Sequence, residues 1–391
     1  DEGREFATLA EYNVESKGIR YLTDDIPWNI YPVKINSNKS KLAFVANENG
    51  YSVLYIMDTK TGKYKALPNF VKGQQIHSMK FHPERNELGV YLSSATTPGD
   101  VFSINLNNEK ITRWTESEVG GLDATLLPEP EQFEYATFDK INGESRKIPA
   151  FVFKPTNAKK PYPVLIYIHG GPEAQYTPYF ASLRNYFTNE LGIAVIAPNV
   201  RGSDGYGKRY LKLDNDYNRE NSVKDIGKLI EWIKDQPEYD NDRICVFGGS
   251  YGGYMVLASM FNYNDELRCG VDIVGISNFV TFLENTEAYR RDMRRVEYGD
   301  ERIPEMREYL ESISPNNHAD KIKKPLFVIQ GANDPRVPAS ESEQMVKSIR
   351  EANGNVWYML AKDEGHGFRK KENSDRMYEA IAMFLQEYLI K

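Results

Sequence analysis

Along the first third of this chain, apolar residues come in short runs separated by Gly and Asn turns, and the runs repeat. Val33-Lys34-Ile35-Asn36-Ser37-Asn38 parallels Met79-Lys80-Phe81-His82-Pro83-Glu84. Three further strand-like runs follow each copy, over residues 41–46, 52–58 and 63–67, then 87–91, 101–105 and 110–114. Four short strands in a unit of about 40 to 50 residues is the pattern of a propeller blade. Upstream, Tyr12-Asn13-Val14-Glu15-Ser16-Lys17-Gly18 parallels Met57-Asp58-Thr59-Lys60-Thr61-Gly62-Lys63, which makes residues 18–22 the last strand of an earlier blade. The count reaches about two and a half blades, whereas closed propellers have about four to eight. Three readings remain: a piece of a longer chain, blades packed in some other way, or an irregular meander.

Residues 120–131, with Pro128-Glu129 and Pro130-Glu131, interrupt both rhythms and read as a linker. Beyond it, residues 132–139 and 147–155 read as a hairpin. Apolar strands at 164–169, 193–198, 244–248, 269–275, 325–330 and 356–360 then alternate with helical patterns at 179–191, 223–235, 251–262, 340–353 and 374–389. Nearly continuous apolar strands in alternation with helices predict a mostly parallel, doubly wound sheet covered on both faces. The expected organisation is a partial β-propeller over residues 1–125 and an α/β domain over residues 130–391.

Composition agrees with a folded protein, at 40% hydrophobic and 27% charged residues. With 49 basic and 56 acidic residues the net charge is −7, which gives no general electrostatic reason to expect a nucleic acid or an anionic lipid as partner. The longest nearly apolar stretch, residues 245–261, is broken by glycines and is shorter than the roughly 20 residues a membrane span needs, so none is expected. Cys245 and Cys269 lie in apolar runs and read as buried free thiols. The chain opens Asp1-Glu2-Gly3-Arg4, with neither Met nor a basic, apolar leader, and leaves the compartment open.

Candidate chemistry centres on Gly248-Gly249-Ser250-Tyr251-Gly252-Gly253, between an apolar strand and a helix. A serine on a sharp strand-to-helix turn has its Oγ exposed above the sheet, and small flanking residues relieve the crowding. No phosphate-loop lysine follows. Serine needs a base, and the base needs an orienting acid; in α/β-hydrolases these follow the nucleophile in the order acid, then His. Of the histidines only His318 and His366 follow Ser250, and His318 precedes the strand expected to deliver the acid. That leaves His366, between Gly365 and Gly367, as base. Asp334, the one carboxylate in Gly331-Ala332-Asn333-Asp334-Pro335-Arg336-Val337-Pro338, is the acid, with an Asp turn before Pro335 as the competing reading. The Tyr251 amide is one candidate oxyanion donor. The turn His169-Gly170-Gly171-Pro172 supplies the second, with Gly171 preferred and Gly170 as the alternative. His169 reads as structural. This chemistry calls for no metal or cofactor.

Together, His169-Gly170-Gly171-Pro172, Asn199-Val200-Arg201-Gly202-Ser203, the Ser250 elbow through Tyr254, Asn333-Asp334-Pro335-Arg336-Val337-Pro338 and Gly365-His366-Gly367-Phe368 resemble the prolyl oligopeptidase family of serine peptidases. In that family a β-propeller precedes an α/β-hydrolase domain. The branch resembled is that of the acylaminoacyl and dipeptidyl peptidases. The resemblance implies a Ser250-Asp334-His366 triad, an Arg336 that binds a substrate main-chain carbonyl, and an apolar pocket from Ile276, Phe279, Phe282 and Val337. Arg201 would support its loop. Residues 1–125 match only as generic blades, so the exopeptidase mode and the propeller's shielding of the site do not carry over.

The leading expectation is therefore a serine peptidase acting on short peptides through an acyl-enzyme. A carboxylesterase-type acyl hydrolase is the first competitor, and a binding protein with an inert hydrolase domain the second. An unclosed propeller exposes a sheet edge, which predicts homo-oligomers through strand pairing.

Overall fold

The computed structural model describes residues 3–391. The chain forms two compact units: one holds the chain up to Pro130 with Gln175–Asn185 and Asp204–Leu211, the other Glu131–Ala174, Tyr186–Ser203 and Lys212–Lys391.

In the first unit β1 (Ala10–Tyr12) and β2 (Ile19–Tyr21) make an exposed hairpin. β3 (Ile30–Ile35), β4 (Lys41–Glu48), β5 (Tyr51–Asp58) and β6 (Tyr64–Ala66) form an antiparallel meander. A second meander is made of β7 (Gln75–Phe81), β8 (Glu87–Ser93), β9 (Asp100–Asn105) and β10 (Ile111–Arg113). The repeat read from the sequence thus corresponds to two four-stranded blades of a partial propeller. Asn49 and Gly50 join β4 to β5 at φ 52 and 87, the mirror-image two-residue turn whose twist matches that of the strands. Period-2 alternation gives β4 two buried faces: Ala43 and Val45 pack into a core shared with Met79, Leu88, Val90 and Phe102 of the next blade, while Phe44 and Ala46 meet Ile26, Ile30 and Met57.

The second unit is built on an eight-stranded sheet in the order β11-β12-β14-β13-β15-β16-β17-β18. β11 (Glu131–Ile141) and β12 (Glu144–Phe153) are a hairpin closed by Asn142-Gly143, both at positive φ, and β12 runs antiparallel to β14 (Ala194–Pro198). From β14 onward β13 (Tyr162–Ile168), β15 (Tyr239–Gly249), β16 (Cys269–Ile273), β17 (Leu326–Gly331) and β18 (Val356–Ala361) are parallel. Strands β14 and β17 are buried at every position, as expected of a sheet covered on both faces. Cys245 and Cys269 are register partners at its centre, buried and free.

The helices are α1 (Ser182–Asn189), α2 (Lys208–Leu211), α3 (Glu220–Lys234), α4 (Tyr251–Asn262), α5 (Phe279–Asn285), α6 (Ala288–Tyr298), α7 (Pro304–Ile313), α8 (Ala339–Glu351) and α9 (Lys371–Leu385). The helix expected over 179–191 starts only at Ser182, because Arg184 Nη1 takes the Tyr179 carbonyl at 2.6 Å. Between β16 and β17 the chain folds into α5, α6 and α7, which are not among the helices read from the sequence. Among the described residues no helix is long and apolar enough to cross a membrane.

Candidate active site

All the candidate groups lie on loops at the carboxyl ends of parallel strands, the position where open α/β sheets bind ligands. Ser250 follows β15 and is held at φ 60, ψ −119, a conformation costing a non-glycine residue about 1–3 kcal/mol. Close packing imposes it. A Cβ on Gly248 would stand 2.5 Å from the Gly252 carbonyl oxygen and 2.9 Å from that of Ile168. Helix α4 starts at Tyr251, so the Tyr251 N–H lies in the first turn, where no intrahelical acceptor exists.

The loop after β17 carries Asp334, whose side chain is fully buried. Its Oδ1 accepts from the N–H groups of Arg336 at 2.8 Å and Val337 at 3.1 Å, and its Oδ2 lies 2.7 Å from His366 Nδ1. Asp334 therefore makes the Asp turn and the His contact together; the two readings of it do not compete. Two backbone donors lock the carboxylate and leave one oxygen to orient the imidazole. Gly331 lies too close to Glu364 and Gly365 for any side chain, which holds the β17 and β18 loops together. Among the described residues no hydrogen bond joins Ser250 to His366; such contacts are often long until substrate binds.

After β13, a Cβ on Gly170 would lie 3.0 Å from the Gly249 carbonyl oxygen and 3.5 Å from Ser250 Cβ, while Gly171 is at φ 129. The His169-Gly171 turn thus runs directly beside the nucleophile. His169 is buried, with Nε2 2.8 Å from Ser203 Oγ, and burial holds its pKa below the usual value. Arg201 is buried against Asp225 at 2.8 Å and Asp139 at 2.9 Å, a support for its loop.

Ile276, Phe279, Phe282 and Val337 are all buried, Phe279 and Phe282 against Tyr298. Their segment is tied down by Glu341, which accepts from the N–H groups of Ser277 at 3.1 Å and Asn278 at 2.8 Å. Asn278 in turn caps α5 through the N–H groups of Val280 and Thr281. The Arg336 side chain is half-buried.

Three features behind the site carry no local motif. Fully buried Arg219 bonds Asp214 at 2.5 Å, Tyr251 Oη at 3.2 Å and Glu297 at 2.8 Å. Burial, then the neighbouring Glu173 carboxyl, push Glu297 upward, while Glu173 is held low in return. Arg294 bridges Glu173 at 3.3 Å and the Gly171 carbonyl at 3.4 Å. Third, Asp272 is buried in β16 without a counter-ion, and burial raises it to about 8. One signal pointed to Asp272, a carboxylate inside an otherwise apolar strand. Among the described residues no group of three or more His, Cys, Asp or Glu is placed to hold a metal ion.

A mostly parallel sheet with its serine on a strained turn and an Asp–His contact two loops further on is α/β-hydrolase architecture. The chain belongs to the prolyl oligopeptidase family, whose model matches residues 178–391. It is 37% identical over 235 residues to dipeptidyl aminopeptidase BIII of Pseudoxanthomonas mexicana, a match covering 59% of this chain and 34% of that protein. It is 36% identical over 233 residues to dipeptidyl peptidase family member 6 of Caenorhabditis elegans, covering 59% of this chain and 31% of that one. Among solved structures, a puromycin-hydrolyzing peptidase of Mycobacterium tuberculosis superposes with TM-score 0.87 at 23% identity, over 98% of this chain and 59% of that one. The acylaminoacyl peptidase of Pyrococcus horikoshii gives 0.81 at 22%, over 96% and 58%. The matches to these two relatives thus span about a third of their length.

Proposed function

We propose that this chain is the hydrolytic part of a serine peptidase acting on short peptides, with residues 130–391 as catalytic domain and 1–125 as partial propeller. The observation that carries the reading is the Asp334–His366 contact at 2.7 Å, on loops of the same sheet edge as the strained Ser250 elbow. Asp334 accepts a hydrogen bond from the Nδ1–H group, which presents Nε2 as the base. Ser250 Oγ attacks the substrate carbonyl as His366 takes its proton, and the N–H groups of Tyr251 and Gly171 receive the developing oxyanion. His366 then protonates the leaving amine. Water, deprotonated by His366, releases the acyl group and restores Ser250.

Arg336 is the proposed anchor for a substrate carbonyl, and Ile276, Phe279, Phe282 and Val337 form the wall of an apolar side-chain pocket. The names of the relatives, dipeptidyl peptidases and acylamino-acid-releasing enzymes, favour substrates cut near an N-terminus. Exposed Tyr12, Ile19, Tyr31 and Ile35 in the first unit support self-association, which size-exclusion chromatography tests.

Labelling by a fluorophosphonate, followed by intact mass, tests the chemistry. Stoichiometric labelling of the native chain, lost in Ser250→Ala and His366→Ala, is expected; an unlabelled, folded native chain refutes the reading. Matched amide and ester substrates then discriminate, since ester turnover with amide turnover near zero would make the chain an esterase.

A further inference from the structure

Helix α6 spans the space between the two loops that flank the candidate nucleophile. Just before it, Thr286 Oγ1 donates to the Arg336 carbonyl at 2.8 Å and the Glu287 N–H to that of Pro335 at 3.4 Å, which fixes one end on the Asp334 loop. Two turns on, Arg294 reaches the Gly171 carbonyl and Glu173, which fixes the other end on the oxyanion loop. Arg290 lies one turn before Arg294 on the same helical face, near enough to Arg336 and Arg294 to feel both charges.

The charges on this face do not balance. Arg294 has Glu173, and Glu297 is engaged by Arg219. Among the described residues neither Arg290 nor Arg336 has a carboxylate partner within 4.0 Å, and Arg336 Nε is buried with no hydrogen-bond acceptor. The polar neighbour of Arg290 is Tyr289. Burial, then the nearby charges of Arg336 and Arg294, hold Arg290 below the usual guanidinium range, as expected of cations gathered without a counter-ion. A substrate carbonyl satisfies one guanidinium but leaves this excess charge in place. A carboxylate satisfies both with charge-assisted hydrogen bonds.

We propose that Arg290 and Arg336 form an anion subsite on the rim of the catalytic centre that takes a carboxylate of the peptide substrate, from either its C-terminus or an acidic side chain. This deepens, and rests on, the serine-peptidase reading. Arg294 contributes field rather than contact, since Glu173 occupies it.

Binding to the full-length Ser250→Ala chain by titration calorimetry tests the subsite without turnover. Three probes of equal length serve: acetyl-Ala-Ala-Ala-amide, acetyl-Ala-Ala-Ala with a free carboxylate, and acetyl-Ala-Glu-Ala-amide. At least one carboxylate probe should bind about tenfold tighter than the neutral one, less so as salt is raised. Which of the two does so identifies the source. The preference should vanish when Arg290→Gln is added and partly return with Arg290→Lys, while circular dichroism reports an unchanged fold. Equal affinity for all three probes, no binding by any, or a preference that survives both Arg290→Gln and Arg336→Gln overturns the subsite. Failure of the peptidase reading appears elsewhere, as a native chain that fluorophosphonate does not label.

Discussion

Replacing Asp272 by Asn turns a buried acid into a neutral isostere beside the glycines of the elbow. Asp272 is the register partner of Gly248 in the strand that ends at the elbow, and its Oδ1 occupies the space that a side chain on Gly253 or Gly275 would need. Among the described residues both oxygens are buried without a hydrogen-bond partner, near the Gly275 amide, and the group rises from 3.8 to about 8. A carboxyl that holds its proton more tightly folded than unfolded stabilises the fold below its unfolded pKa. That contribution is lost as pH rises through the folded value, here between about 4 and about 8. At about 1.4 kcal/mol per tenfold change in proton affinity, the loss has a ceiling on the order of 5 kcal/mol. Asn escapes it but buries an amide without partners, at a pH-independent cost of about 1–3 kcal/mol. Urea denaturation should therefore find Asp272→Asn less stable than the native chain near about pH 4 and more stable near about pH 9. A stability difference that stays constant across that range refutes the assignment of a neutral, buried acid. If the crossover appears, fluorophosphonate labelling of the native chain should also slow above about pH 8, since an ionised Asp272 lies against the elbow glycines.

Three further outcomes are expected. Gly248→Ala forces a methyl against two backbone carbonyls that cannot rotate away, and should cost about 3 kcal/mol or more by urea midpoint, with labelling of Ser250 reduced. Arg219→Met strands Asp214 and Glu297 in the interior, and should lower stability by about 3–5 kcal/mol; a change below about 1 kcal/mol would mean that water reaches the network. Ser250→Gly relieves the positive φ, and should be about 1 kcal/mol more stable than Ser250→Ala, although neither accepts the probe.

Where side chains alternate or repeat by burial, the fold was legible before any coordinate. The blade repeat at Val33 and Met79 falls on β3 and β7, the first strands of their meanders, although Met79 is buried there while Val33 and Ile35 are exposed. Helix α4 starts at Tyr251 as expected, since the glycines of the elbow stop the strand there. Helix α6 was not legible. It carries four arginines, and its buried positions are Glu297 and Tyr298, so what anchors it is ionic and no apolar stripe announces it. The same holds within the site. Chain order and flanking glycines nominate Asp334 and His366, which the fold brings to 2.7 Å. Arg219, Glu173 and Glu297 come from stretches far apart in sequence, and their meaning lies in charges that meet only after folding.

The two cysteines at the centre of the large sheet have a practical consequence. Burial pushes the Cys245 thiol well above its ordinary pKa, and Cys269 beside it is equally shut off from solvent. The thiolate is the nucleophile that attacks an alkylating reagent, so neither sulfur reacts while both stay buried between β15 and β16. With two cysteines in the chain, the rate at which a thiol reagent adds mass becomes a clock for separation of these central strands, independent of substrate or enzymatic turnover. Read by mass spectrometry, that clock would report whether an occupied active site slows the opening of the sheet that carries it.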